Sequence, residues 1–128
     1  MGQVILDSSV VIAFFNAGDA HHKVVVEAVA KSNESFSISM ITVTETLVKA
    51  SKVSEKRKNQ LLSVLTENFA PFSPFDMDVA VRAATIRANT GLRTPDAIIS
   101  ATATVAKATL WTCDARLAKL HKGARLIA

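Results

Sequence analysis

Four carboxylates stand at the ends of apolar segments or inside them, where a folding chain would otherwise be entering its core. They are Asp7 after residues 4–6, Glu45 within residues 40–48, Asp96 before the uncharged residues 97–106, and Asp114 after residues 110–113. A carboxylate in such a position is costly unless something compensates its charge. Any fold of this chain must therefore use these acids as helix caps or bring them to a compensating partner.

Short runs rich in β-branched residues alternate with helical patterns along the chain. The runs predict strands at residues 4–6, 36–39, 109–112 and 125–127, with helices between them. This alternation predicts one domain over residues 1–128 in the α/β class, a three-layer α/β/α sandwich with a mostly parallel central sheet. Ligands of such sheets bind beyond the carboxyl ends of the strands, which is where Asp7 and Asp114 lie.

Local signals predict where several helices start and stop. Ser54 and Asp76 are predicted to start two helices, and Gly91 is predicted to end the second as a C-cap. Thr94 is the predicted N-cap of the next helix, with Pro95 at its first position. All three histidines are expected to be solvated, because two begin a surface helix and the third lies near the C-terminus.

Each of the four acids also has an explanation that involves no chemistry. Asp7 and Asp114 can cap the helices that follow them. Thr42 and Glu45 match a capping box, and Asp96 in a first turn complements the helix dipole. If the four converge instead, each pair about 6 Å apart repels by roughly 3 kcal/mol at an effective dielectric constant of about 20. We expect no basic residue nearby in sequence to neutralise them, and hard oxygens without His or Cys favour Mg²⁺ or Mn²⁺ over zinc.

The chain is weakly basic, with fifteen Lys and Arg against eleven Asp and Glu and a formal net charge of +4. Five basic residues fall between Lys49 and Lys58, with Glu55 as the only acid among them. A solvated helix face and turn would explain this cluster. A contact with nucleic acid close to Glu45 would explain it equally well.

The single cysteine, Cys113, excludes an internal disulfide and agrees with a reducing cytoplasm, so we expect a cytoplasmic protein. The apolar runs are far shorter than the roughly 18 residues that a membrane span requires. The N-terminal residues also lack the basic leader and cleavage site of a signal peptide. No membrane partner is expected.

Four stretches of the sequence resemble the motifs of a known family. They are residues 4–9 (VILDSS), 41–45 (ITVTE), 94–103 (TPDAIISATA) and 110–114 (LWTCD). In this order, with Pro-Asp-Ala in the third place, they resemble the PIN-domain nucleases, and within these the VapC-type toxins of toxin–antitoxin pairs. The similarity extends over almost the whole chain.

The resemblance implies an α/β/α sandwich, Mg²⁺- or Mn²⁺-dependent cleavage of RNA, and a cognate antitoxin that occupies the site. It assigns the acidic cluster to Asp7, Glu45, Asp96 and Asp114, with Asp7, Asp96 and Asp114 as metal ligands. Ser9 and Thr112 would be hydroxyls that position an acid, a metal-bound water or the phosphate. Ala115 and Arg116 follow Asp114, where some relatives carry a further acid.

From this cluster we hypothesise hydrolysis by a metal-activated water that Glu45 helps to deprotonate, leaving 5′-phosphate and 3′-hydroxyl ends. The candidates for phosphate contacts are Lys49, Lys52, Arg93 and Arg116, which lie near the acids in sequence. Each has an ordinary surface role as its alternative, and Lys49 can pair with Glu45 one helical turn away. Trp111 and the six phenylalanines are predicted to belong to the core.

The predicted partners are RNA, an antitoxin and a second copy of this chain. The apolar segments 10–15 and 69–75 carry more hydrophobic surface than a small monomer easily buries. Either can form a homodimer or antitoxin interface, with core packing as the alternative. Two prolines in residues 69–75 bar a central strand there and allow only an edge strand.

Two other functions fit the same residues. The site could cut DNA, or process RNA without an antitoxin. Outside the nuclease class, the chain could be a basic nucleic-acid-binding module whose carboxylates are only helix caps.

Overall fold

A four-stranded sheet forms the centre of the protein, described here by a computed structural model that covers residues 2–128. The strands are β1 (Gln3–Leu6), β2 (Ser35–Ile38), β3 (Thr109–Thr112) and β4 (Arg125–Leu126). Their order in the sheet is β2-β1-β3-β4, and every neighbouring pair is parallel. The predicted α/β class is therefore confirmed.

Within residues 2–128, seven helices flank the sheet. They are α1 (Ser8–Phe15), α2 (His22–Ala30), α3 (Met40–Val53), α4 (Glu55–Phe69), α5 (Met77–Thr90), α6 (Thr94–Val105) and α7 (Ala115–Leu120). Residues 2–128 include no helix long and apolar enough to cross a membrane.

Side chains of β1 alternate between two hydrophobic cores, because successive residues of a strand point to opposite faces of the sheet. Val4 and Leu6 belong to a core that α1, α2 and α4 complete. Ile5 belongs to a second core, built largely by α5, α6 and α7. Burial on both faces explains why β1 is a continuous apolar run, and it leaves the end of the strand as the first place for a polar side chain.

Side-chain caps start most of the helices. Ser54 accepts a hydrogen bond from the backbone N–H of Arg57, and Asp76 accepts one from Val79, so both predicted caps are confirmed. Gly91 ends α5 with a φ of 72°, a left-handed conformation that glycine adopts without strain. The N-cap of α6 is Arg93 rather than the predicted Thr94, which is already the first helical residue.

The predicted capping box in α3 is wrong. Ser39 is the N-cap, and its hydroxyl accepts the backbone N–H of Ile41. Glu45 therefore lies in the second turn of α3, out of reach of the helix start. The structure thus leaves its carboxylate without a capping role.

Two histidines were wrongly expected to be solvated. His22 Nδ1 lies 2.7 Å from the carbonyl oxygen of Ala13 and ties α2 to α1. His121 Nδ1 lies 2.6 Å from the buried Ser100 hydroxyl, and burial lowers the pKa of this histidine. Both contacts depend on how two helices pack against each other, so neither was visible in the local pattern.

Candidate active site

The carboxylate of Asp7 lies at the carboxyl end of β1 and is 3% exposed. Its Oδ1 accepts hydrogen bonds from Ser9 Oγ at 2.5 Å and from the backbone N–H of Val10 at 3.1 Å. Its Oδ2 accepts a hydrogen bond from the hydroxyl of Thr112. Asp7 therefore caps α1 and is also held by two side-chain hydroxyls from different parts of the chain.

The same two hydroxyls hold the turn that follows β3. Ser9 Oγ accepts the backbone N–H of Cys113 at 3.0 Å, and Thr112 Oγ1 accepts that of Asp114 at 2.9 Å. Because each hydroxyl accepts a backbone N–H, its own hydrogen is directed to Asp7. The ends of β1 and β3 are thereby locked together around one carboxylate.

Asp114 starts α7, and its Oδ1 accepts the backbone N–H groups of Arg116 and Leu117. The capping explanation is thus true of both Asp7 and Asp114. A capping role does not exclude a functional role, because Thr112 links the two acids. The Thr112 hydroxyl accepts the backbone N–H of Asp114 and donates to the side chain of Asp7. Asp114 is partly exposed.

Asp96 lies in the first turn of α6, close enough to Asp7 for its charge to help raise the pKa of that acid. Arg93 Nε and one terminal nitrogen each lie 3.4 Å from Asp96 Oδ2. The expectation that no nearby basic residue would compensate the acids is therefore wrong for Asp96. The pairing is loose, since the Arg93 side chain is 72% exposed.

Glu45 is half-buried on α3 and accepts a hydrogen bond from Ser8 Oγ at 2.5 Å. Among residues 2–128 no lysine or arginine nitrogen lies within ion-pair distance of it, so the alternative pairing with Lys49 is not present. Since Ser8 directly follows Asp7, this bond brings Glu45 to the same end of the sheet as Asp7.

The site is electrostatically unbalanced. Burial, followed by the charge of Asp96, raises the pKa of Asp7 above its ordinary value against the lowering effect of its hydrogen bonds. Burial also raises the pKa of the Cys113 thiol to about 11, with the negative charges of Asp7 and Asp19 adding to the effect. A cation close to Asp7 would relieve this excess of negative charge.

The donor set suits a hard divalent cation, although within residues 2–128 no three His, Cys, Asp or Glu side chains already form a ligand cluster. Magnesium keeps several water ligands and needs only one or two protein carboxylates. Asp7 and Asp96 can supply these, because Asp7 is buried without a basic partner and only one exposed arginine pairs with Asp96. The residues present therefore fit Mg²⁺ or Mn²⁺.

The four basic candidates all lie on the surface, two of them on one helix and two at the starts of other helices. They are Lys49 and Lys52 on α3, Arg93 before α6, and Arg116 in α7. Arg116 donates to the carbonyl oxygen of Gly91 at 3.3 Å, which places its guanidinium beside the start of α6. Trp111 is buried as predicted, whereas Phe75 is 51% exposed.

Residues 4–123 match the PIN domain family. The chain belongs to the PIN domain family. This match covers all four acids and both hydroxyls that contact Asp7. No curated protein sequence matches the chain.

Solved structures share the PIN fold across nearly the whole chain. A toxin–antitoxin complex from Klebsiella pneumoniae has a chain 25% identical, with 98% of each chain covered and a TM-score of 0.82. FitAcB from Neisseria gonorrhoeae is 25% identical over 96% of each chain, with a TM-score of 0.79. A sarcin–ricin-loop-cleaving VapC toxin of Mycobacterium tuberculosis is 16% identical over 91% of this PIN domain and 93% of its own chain, with a TM-score of 0.77. This PIN domain therefore has the fold of the VapC and FitB toxins.

The sequence did not identify Ser8 as a residue of the site. Ser8 was part of a recognised motif, but only its neighbour Ser9 was singled out as a positioning hydroxyl. The signal that could have found it is the serine doublet itself, since consecutive residues at a helix start point in different directions and can serve two acids.

Proposed function

We propose that this PIN domain is a Mg²⁺- or Mn²⁺-dependent endoribonuclease and the toxin of a toxin–antitoxin pair, acting in the cytoplasm. The observation that carries the proposal is the buried carboxylate of Asp7, which two hydroxyls fix. Asp7 has no basic partner among the described residues, and the nearby charge of Asp96 helps to raise its pKa. A purely structural cap has no need of such burial, because the exposed Asp76 caps α5 equally well. This arrangement supports the binding of a cation.

Each acid has a distinct part in the proposed reaction. Asp7 and Asp96 would hold the cation, with Asp114 contributing directly or through water. A bound Mg²⁺ or Mn²⁺ supplies Lewis-acid polarisation of a phosphoryl group and a water of lowered pKa. Glu45 orients the attacking water and accepts its proton, and in-line displacement leaves a 5′-phosphate and a 3′-hydroxyl.

Ser9 and Thr112 act as positioning residues in this scheme. Their hydroxyls set the orientation of the Asp7 carboxylate and tie it to the turn that carries Asp114. Lys49, Lys52, Arg93 and Arg116 are proposed to contact phosphates of the RNA. RNA is the substrate class that the M. tuberculosis toxin of the same fold cleaves.

A groove beside Glu45 supports the antitoxin part of the proposal. It has a volume of about 480 Å³ and lies between α1, α3 and α4. Apolar side chains such as Ile12, Val53 and Leu61 line it, with Glu45, Lys49 and Arg57 along it. An amphipathic segment of an antitoxin fits this lining, and a basic side chain of that segment could reach the acids. Structures that share the fold include toxin–antitoxin complexes.

The proposed homodimer rests on a separate apolar patch. Phe75, Met77 and Val81 are 51%, 76% and 61% exposed, and they lie within seven residues of the chain, just before α5 and in its first turns. The apolar segment 10–15, also predicted as a possible interface, belongs largely to the core, since Val10, Val11 and Ala13 are buried. The patch around α5 is therefore the better candidate for contact with a second copy.

The test is cleavage of a mixed cellular RNA pool by the purified protein with Mg²⁺ or Mn²⁺, and with EDTA, followed by mapping of the new ends. Wild type is expected to cut at discrete sites and leave 5′-phosphates, and EDTA or Asp96→Asn is expected to abolish cutting. Asp76→Asn is the matched control, because it changes an acid at a helix start away from the site. Products with 2′,3′-cyclic phosphates, or cutting that survives Asp96→Asn, would contradict the proposal.

A further inference from the structure

The first turn of α1 carries two serines whose hydroxyls serve different acids. Ser9 donates to Asp7, two residues before it. Ser8 donates to Glu45 Oε1 at 2.5 Å, across 37 positions of the sequence.

The contact with Ser8 is the one hydrogen bond that the Glu45 carboxylate makes within residues 2–128, and it has no ion pair there. Glu45 is half-buried in the second turn of α3, beside the open groove. A glutamate side chain has three rotatable torsions, and ordering them costs conformational entropy. Without Ser8, nothing described in the structure would select one orientation of this carboxylate.

Ser8 is itself well placed to fix an orientation. Its backbone directly follows Asp7, and Asp7 is held on both oxygens. The backbone of Ser8 therefore has a nearly fixed position relative to Asp7, and its hydroxyl can occupy only the three staggered positions that rotation about one bond allows. Through this hydroxyl, Oε1 of Glu45 acquires a defined position relative to Asp7, although the two acids lie on different elements.

We propose that Ser8 is the positioning residue for Glu45, holding one carboxylate oxygen so that the other is free to orient the attacking water. The catalytic meaning of this contact rests on the proposed function. The contact itself does not, because the order of the Glu45 side chain can be measured without any RNA. The two ideas can therefore fail separately.

The kinetic test compares Ser8→Ala with Ser8→Thr. Removal of a hydroxyl that orients an active group typically lowers activity about 10- to 100-fold, and we expect this loss in kcat with KM for RNA changed less than about twofold. Ser8→Thr keeps the hydroxyl and should retain most of the activity. In the Glu45→Gln background Ser8→Ala should add little further loss, since both changes remove the same contribution.

The matched control is Ser51→Ala on α3. The Ser51 hydroxyl donates only to the carbonyl oxygen of Leu47 in its own helix, so its loss should leave kcat unchanged. Thermal melting of both variants separates loss of orientation from loss of fold. Ser8→Cys, which keeps the side-chain size with a weaker donor, carries the test if Ser8→Ala does not fold.

The readout that needs no activity is nuclear relaxation of ¹³C-labelled glutamate side chains in the metal-free protein. The Glu45 side chain should be rigid in wild type and in Ser51→Ala, and mobile in Ser8→Ala. Equal mobility in wild type and Ser8→Ala would overturn the proposal, whether or not the protein cuts RNA. A mobile Glu45 combined with unchanged kcat in Ser8→Ala would overturn it as well.

Discussion

Ser9 and Thr112 each donate a hydroxyl hydrogen to a different oxygen of Asp7, and each accepts a backbone N–H from consecutive residues of the turn after β3. Four hydrogen bonds thus pass through two small side chains. Because both hydroxyls are saturated in this way, the Asp7 carboxylate has little freedom to turn. Protein groups alone thus fix the orientation of this carboxylate, and such pre-organisation is what a cation site requires.

Thr112→Val tests this arrangement. The change keeps the side-chain shape but removes the donor to Asp7 and leaves the backbone N–H of Asp114 without its acceptor. Leaving a buried group unsatisfied costs about 1–3 kcal/mol, so the free energy of unfolding should fall by that amount. Urea denaturation with EDTA present measures it.

Thr42→Val is the matched control for that change. Thr42 is fully buried, and its hydroxyl has no hydrogen-bond partner among the described residues. Replacing this hydroxyl by a methyl group should be neutral or stabilising. If both valine variants lost stability equally, the hydrogen bonds of Thr112 would not be the cause.

Asp7→Asn should make the metal-free protein more stable. Burial raises the pKa of Asp7, so folding favours its protonated form and stability falls as the pH rises above the ordinary carboxyl range. Asparagine keeps one oxygen for the cap and removes the charge, but its amide nitrogen cannot accept the hydroxyl of Thr112. We expect removal of the buried charge to outweigh this lost hydrogen bond, so the free energy of unfolding measured with urea at neutral pH should rise.

Two comparisons show whether that gain comes from the buried charge. Asp76→Asn, at an exposed cap, should change stability little. Added Mg²⁺ should stabilise wild type by mass action but not Asp7→Asn. A loss of stability in Asp7→Asn at neutral pH would show that its hydrogen bonds outweigh the cost of burying the charge.

The sheet and its polar ends could be predicted because they depend on local pattern. Residues 4–6 read as a buried strand from their β-branched run, and Asp7 then had to lie at the strand end. The same reasoning located Asp114 after β3. Parallel pairing brought both ends to one edge of the sheet, as the alternation of elements predicted.

Contacts between distant residues could not be predicted in this way. The bond between Ser8 and Glu45 depends on how α1 and α3 pack, and that of Ser100 with His121 on how α6 meets α7. Neither hydrogen bond is associated with a periodic pattern in the sequence. Arg93 is different, because its spacing of three residues from Asp96 allows an ion pair. The sequence analysis assigned Arg93 to a phosphate contact and did not consider that pair.

Arg93→Ala should affect metal and RNA in opposite directions. Arg93 pairs loosely with Asp96 in the metal-free protein, and a surface pair of this kind contributes up to about 1 kcal/mol. Loss of the Arg93 side chain should tighten Mn²⁺ binding by up to about fivefold and should weaken RNA binding. Calorimetry on protein that retains Asp96 measures both affinities. Arg82→Ala, an exposed arginine on α5, should change neither. Weaker Mn²⁺ binding in Arg93→Ala would contradict the competition between arginine and metal.

The proposed phosphate contacts predict a defined salt dependence. Each cation that neutralises a phosphate of single-stranded RNA contributes about 0.7 to the slope of log K against log salt concentration. Lys49→Ala and Arg116→Ala should therefore each lower the slope by about 0.7, measured with Asp96→Asn protein so that RNA is not cut. Lys31→Ala is the control, because Lys31 is paired with Glu27 at the end of α2. An unchanged slope in Lys49→Ala or Arg116→Ala would show that the substituted residue does not contact an RNA phosphate.

The half-buried His121 should make the free energy of unfolding depend on pH. Burial lowers its pKa in the folded protein, so the unfolded chain binds the proton more readily and stability rises with pH across the histidine range. The contribution is complete above the ordinary histidine pKa of about 6.5 and is lost as the pH falls from there through the lower pKa of the folded state. His121→Gln should therefore show a weaker fall in the free energy of unfolding between about pH 7 and pH 5 than wild type. Urea denaturation at several pH values measures the two slopes, and equal slopes would mean that the fall comes from other groups.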